Sequence, residues 1–286
     1  MPETNARADI EADLTRIGAL SDAEIDLAEA ALALAASDRP DTSRHAYQAH
    51  LAAIADAMAL AANLPSLALG GQQGLSARCR LLADIMAGEF AYRGDRVNYD
   101  DLQNADLMRV IDRRQGLPVA LAILYIHAAR SQGWSVEGVN FPGHFVIRLF
   151  HDGKAAILDP FDGGLMLETG DLRQRLKTTI GEAAELQPSH YAAIGNRDIL
   201  LRLQNNIKVR LIQDGNLAHA AAVVERMLLI APAAAPFWRE AGLIHSRLGN
   251  LLAAKLALSR FLEIADNDAQ RHQAARLLQD ITQRLQ

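Results

Sequence analysis

The stretch Pro118 to Gln132 constrains this fold more than any other part of the chain. It opens Pro-Val-Ala-Leu-Ala-Ile-Leu-Tyr-Ile and stays apolar nearly all the way round a helical wheel. A helix with no polar face has to be wrapped by other elements. Pro118 occupies its first turn, where a missing N–H costs nothing, and Gly133 stands where the helix should stop. The remaining sequence must therefore supply layers that cover this segment.

The composition suits a mostly helical cover. Hydrophobic residues make up 50% of the chain and aromatics only 5%, with Ala and Leu dominant, the best helix formers. A length of 286 residues suffices for one large domain or two smaller ones. The net charge of -5 is spread along the chain in both signs, without the basic patch of a nucleic-acid binder. Cys79 is the single cysteine, which excludes an internal disulfide and a Cys-rich zinc site and points to a reducing compartment. Met1 to Asp13 is polar and acidic, unlike a signal peptide. No run approaches the roughly 18–20 apolar residues of a membrane span. The expectation is a soluble cytoplasmic protein that binds neither nucleic acid nor membrane.

Residues 1–90 read as an N-terminal helical region. Ser21-Asp22-Ala23-Glu24 has the capping-box pattern and predicts a helix to about Ala36, stopped by Ser37-Asp38-Arg39-Pro40. A second helix is expected from Thr42 to Ala62, ending near Leu64-Pro65. Gly70, Gly71 and Gly74 predict a loop, followed by a helix from Leu75 to Phe90. Residues 91–190 form the expected core. It starts irregularly around Tyr92, Gly94, Asn98 and Tyr99, then continues as a short helix from Asp101 to Asp112. After the apolar helix come strands at Val136–Asn140, His144–Phe150 and Ala155–Asp159. The last two are joined by the Asp152-Gly153 hairpin turn, and Leu165–Leu167 is a further short strand. Helix returns from Leu172.

Residues 191–286 contain an internal repeat. Gly215-Asn216-Leu217 recurs as Gly249-Asn250-Leu251, 34 positions on, and Ala220, Arg226, Leu228 and Ile230-Ala231 match Ala254, Arg260, Leu262 and Ile264-Ala265. A 34-residue period with Gly at the inter-helix turn resembles the tetratricopeptide repeat. Trp238, at the front of the second unit, is expected in its core.

The middle of the chain resembles the transglutaminase-like superfamily, specifically the SirB branch, in which that domain precedes tetratricopeptide repeats. The resemblance rests on Asn98-Tyr99, Asn104, Asp112-Arg113-Arg114-Gln115-Gly116-Leu117-Pro118, Gly138-Val139-Asn140-Phe141-Pro142-Gly143-His144-Phe145 and Asp159-Pro160-Phe161-Asp162-Gly163-Gly164. It implies an α+β, papain-related core with helices before it and a helical tail behind it. It also implies a Cys-His-Asp frame: nucleophile at the start of the buried helix, His144 as base, Asp159 orienting it. In this register, supported by Ala122, Arg130 and Gly133, the nucleophile position is Pro118. Leu117, Val119 and Ala120 are equally inert.

Each residue also has a plainer reading. His144 and Asp159 can tie two strands together, and Asp159 can cap the turn into Phe161-Asp162-Gly163-Gly164. Arg113 and Arg114 can bind an anion beside the helix start, or pair with Asp112, Asp101 or Asp162, the option favoured. Asn98, Tyr99 and Asn104 line the cleft or bond the loop to itself. Cys79 reads as a small buried hydrophobe. His127, His151, His245 and His272 lack metal-ligand spacing, and Gly70-Gly71-Gln72-Gln73-Gly74 lacks the features of a phosphate loop, so no cofactor and no metal are expected. Two functions follow. The first is a non-catalytic pseudoenzyme that binds a peptide or small ligand and docks a protein partner through its helical repeats. The second is an amide hydrolase or acyltransferase with His144 as general base.

Overall fold

The computed structural model describes residues 2–62 and 70–286, and the helix end expected near Leu64-Pro65 lies outside them. The chain forms two compact units: Ser21–Leu203, and Met1–Leu20 together with Gln204–Gln286.

The larger unit is built round α6 (Pro118–Ser131), whose residues from Pro118 to Ile126 are all buried. Its neighbours include α2 (Leu27–Ala36), α3 (His45–Ala61), α4 (Gly71–Ala83) and α5 (Leu107–Arg113). An antiparallel sheet completes the cover. Its strands are β3 (Val136–Val139), β4 (Val146–His151), β5 (Lys154–Asp159), β6 (Leu165–Leu167) and β7 (Ala193–Ile194), in the order β6-β5-β4-β3-β7. Val139 pairs with Val146 and Ile147 with Leu158. Successive side chains alternate faces. Val146 accordingly joins Phe141 and Leu176 of α7 (Thr169–Ile180) in one cluster. The Asp152-Gly153 turn has positive φ at both residues, 47° and 70°, as a hairpin of this hand requires.

Several elements differ from the pattern expected of the sequence, each for a local reason. The Ser21 capping box holds only a single 3-10 turn, Asp22–Glu24. The Asp22 carboxylate is drawn instead to the N–H groups of Asn196 and Arg197, both at 2.9 Å, and α2 starts afresh from its own cap, Asp26. The glycines expected as a loop begin α4, where the Asp152 carboxylate accepts from Gly71 N–H at 3.1 Å. Beyond Ala83 that helix widens into a π turn, Asp84–Glu89. The helix expected over Asp101–Asp112 is split into a 3-10 turn, Leu102–Ala105, and α5. Asp101 caps the first and Asp106 the second. Two short pairings carried no usable pattern: β7 on β3, and the parallel pair β1 (Arg93–Gly94) with β2 (Gln115–Gly116).

In the second unit the helices are α1 (Pro2–Ala19), the later part of α8 (Asn196–Gln213), α9 (Leu217–Ile230), α10 (Ala235–Leu248), α11 (Leu251–Ile264) and α12 (Asp268–Arg284). The sequence repeat is a backbone repeat. Gly215 and Gly249 have φ of 75° and 76°, and Asn216 and Asn250 have nearly equal φ and ψ. Neighbouring helices pack in turn, as in repeat arrays. Trp238 is partly buried at the edge of the cluster that contains Leu258 and Phe261, and its indole N–H donates to Pro232 O at 2.8 Å. α1 lies on α9 so closely that a Cβ at Gly18 would sit 2.1 Å from Leu229 O. Gly18→Ala should therefore force α1 away from α9 and destabilise this unit by about 1–3 kcal/mol, the usual scale of overpacking. A lowered urea midpoint followed by circular dichroism would show it, and an unchanged midpoint would refute the close contact.

Candidate functional site

Three elements place the candidate residues. Pro118 is the first residue of α6, following Leu117 in an extended conformation. His144 is set by a tight turn in which His144 N–H donates to Phe141 O at 2.9 Å, with Pro142 second and Gly143 third at φ 69°. Pro then a positive-φ Gly is the sequence of a type II turn. A Cβ on Gly143 would also meet Thr179 at 2.6 Å. Asp159 ends β5 and caps the 3-10 turn Pro160–Asp162 by accepting from Phe161 N–H at 3.0 Å.

His144 Nε2 lies 2.9 Å from each Asp159 oxygen. A carboxylate only accepts, so Nε2 carries a proton. Nδ1 bonds to no described residue. Asp159 is fully buried, and Arg175 of α7 reaches it at 2.7 Å while also lying 2.7 Å from Asp162. Arg96 pairs with the other side of Asp162. Burial acts to raise the Asp159 carboxyl, but the His144 hydrogen bond, the His144 and Arg175 charges and the Phe161 N–H together hold it below its ordinary value. The Phe161 ring stands edge-on to both His144 and Tyr99 and rests on Gly94, where a Cβ would lie 2.5 Å from it. Tyr125 of α6 is fully buried, and its hydroxyl has no hydrogen-bond partner among the described residues. Burial and then the Asp159 charge push that phenol above its ordinary value.

The other candidate residues separate into different surroundings. Asn104 is fully buried, and its amide donates to Asn98 O at 2.7 Å while its carbonyl accepts from Arg113 at 2.9 Å. Arg113 also donates to Asp95 at 2.8 Å, and Asp95 accepts from the N–H groups of Val97 and Asn98. Asn104 O takes the Leu117 N–H at 2.9 Å, so this network holds the loop at residues 95–104 against the start of α6. The ion pair expected with Asp112, Asp101 or Asp162 is thus made with Asp95. That aspartate is buried and belongs to no recognisable motif, so sequence position gave no sign of it. Tyr99 is partly exposed beside Phe161, whereas Arg114 turns instead toward His50 and Tyr92. Cys79 is buried in α4, and burial pushes its thiol up to about 11, so it carries no thiolate at neutral pH. Sequence reasoning missed Arg175, which nothing in α7 distinguishes from Arg173 or Lys177. Among the described residues no group of His, Cys, Asp or Glu is placed to hold a metal, and no helix is long and apolar enough to cross a membrane.

A buried helix start, a histidine on the turn before β4, which begins at Val146 rather than at His144 as expected, and a strand-end aspartate stand on a helix-and-sheet scaffold. The family model described as transglutaminase-like superfamily matches residues 45–205, and the chain belongs to that superfamily. A tetratricopeptide-repeat model matches residues 207–279. A UPF0162 protein of Xylella fastidiosa is 32% identical over 184 residues, covering 62% of this chain and 64% of the relative. One from Vibrio cholerae is 28% identical over 245 residues, 85% of this chain and 88% of the relative. The F-box only protein 21 of Mus musculus is 29% identical over 128 residues, 43% of this chain and 20% of that protein.

Asp159 gives a pH prediction. A depressed carboxyl stabilises the fold above the unfolded value of about 3.9, and that stability is lost as pH falls through the folded value. Asp159→Asn should cost about 3 kcal/mol at pH 7, as for a broken buried pair. The deficit should shrink below about pH 4. Denaturation of both proteins at pH 7 and pH 3 checks this, and an equal deficit at both would contradict it.

Proposed function

We propose that this chain is a non-catalytic binding or regulatory protein. In this reading the former active-site cleft around Pro118, His144 and Asp159, with Tyr99 and Asn98 at its edge, takes an extended peptide or small ligand. Arg113 and Asn104 shape that cleft from behind by fixing the loop at 95–104. The observation that carries the reading is Pro118 at the first position of the buried helix. A thiol there would be activated by the helix N-terminus, and proline offers no nucleophile. The protonated, buried Cys79 supports the same conclusion.

Tetratricopeptide repeats are a class of interaction module, and the repeat region is proposed to dock a protein partner. Leu252 and Leu256, one turn apart on α11, are 74% and 70% exposed, which supports this reading. The rival reading is an amide hydrolase or acyltransferase in which His144 Nδ1, the ring nitrogen left unbonded, acts as general base on a water.

Pro118→Cys tests the register on which the first reading rests. If position 118 is the nucleophile seat, the introduced thiol should react with iodoacetamide at pH 7 at least tenfold faster than Cys79. Adding His144→Ala should abolish that advantage. Equal rates would remove the proposed register. In the unaltered protein, amide turnover that is lost in His144→Ala would overturn the non-catalytic reading in favour of the hydrolase.

A further inference from the structure

Arg114 lies beside His50 and Tyr92 in the larger unit. It follows α5 with φ 58° and ψ 23°, a left-handed conformation that favours Gly or Asn. An arginine held there points to a use for its side chain. One guanidinium nitrogen, Nη1, lies 2.6 Å from both His50 Nε2 and the Tyr92 hydroxyl, and the guanidinium stands 5.1 Å from the Tyr92 ring centre. His50 Nε2 accepts here, whether from Arg114 or from Tyr92, so its proton is on Nδ1. Phe90 backs the histidine ring edge-on. Burial and the Arg114 charge press His50 down to about 4, so it is neutral at pH 7 and adds no negative charge.

The guanidinium therefore rests on neutral groups. It has no carboxylate partner among the described residues, and its Nη2 and Nε donors are left over. The nearby carboxylate, Asp112, is already engaged by Arg39 at 3.6 Å and by the Tyr47 hydroxyl at 3.1 Å. Among the described residues, the one cation held by His50 and Tyr92 is the half-buried Arg114 guanidinium.

We propose that Arg114, with His50 and Tyr92 fixing its guanidinium, is the anchor of an oxyanion-binding site for a phosphate or carboxylate group of a small ligand. A planar guanidinium with its Nε–Nη2 edge free matches such groups bidentately. The site shares no residue with the His144–Asp159 pair and stands whether or not that cleft binds anything.

The test uses the full chain and inorganic phosphate, acetate and chloride at matched ionic strength, observed through the His50 ring signals by NMR. Phosphate should shift His50 saturably and move its titration upward, because a bound anion favours the imidazolium. Arg114→Asn suits the left-handed backbone, so it should leave the fold intact by circular dichroism and weaken phosphate at least tenfold. Arg260→Gln, at an exposed arginine on α11, should leave phosphate binding unchanged. A response to phosphate alone assigns a phosphate group, and a response to acetate as well extends the site to carboxylates. No saturable response, a response equal to that of chloride, or an undiminished response in Arg114→Asn would overturn the proposal.

Discussion

The need to bury α6 on every side organises the larger unit. An apolar helix of this kind contributes stability only when water is removed from its whole circumference, and no single layer can do that. Helices α2, α3, α4 and α5 and the sheet therefore close round it, and Pro118 to Ile126 lose contact with solvent. α6 also packs against β4, which His144 precedes, and against the 3-10 turn that Asp159 caps.

The second organising feature is the Asp159 carboxylate. A fully buried charge is tolerated only when it is paired and hydrogen-bonded. Here it meets His144, Arg175 and the Phe161 N–H together. Arg175 continues to Asp162 and Arg96, so alternating charges run from the interior to the surface. This arrangement puts a proton on Nε2 and leaves Nδ1 without a partner among the described residues. A peptide N–H, a hydroxyl or a thiol could meet that nitrogen, which suits binding and general-base chemistry alike.

Much of the fold was legible in local pattern. The strands at 136–139, 146–151, 154–159 and 165–167 follow β-rich text punctuated by Pro142-Gly143 and Asp152-Gly153, whose backbone angles leave little choice. The 34-residue period was legible because the same Gly-Asn turn is made twice. What escaped was non-local. Ser21 to Glu24 carries a sound capping box, yet Asp22 serves the start of α8 instead. The Arg113 pairing was expected with a sequence neighbour or a motif residue, and Asp95 satisfies it. Arg175, one of several basic residues along an amphipathic helix, has no signature at all.

The sequence by itself determined the family, the helix-strand-helix order, the buried helix and the absence of a thiol at its head. Those properties are carried by composition, periodicity and turn chemistry, which act over a few residues. Only the tertiary structure decided which charges meet: Arg175 on Asp159, Asp95 on Arg113, and His50 with Tyr92 beneath Arg114. It also placed α1 against α9 rather than with the helices that follow it in the chain. The physical reason is that ion pairs and close backbone approaches depend on distance in space. Residues far apart along the chain come within 3 Å of one another only after the apolar core has chosen its packing.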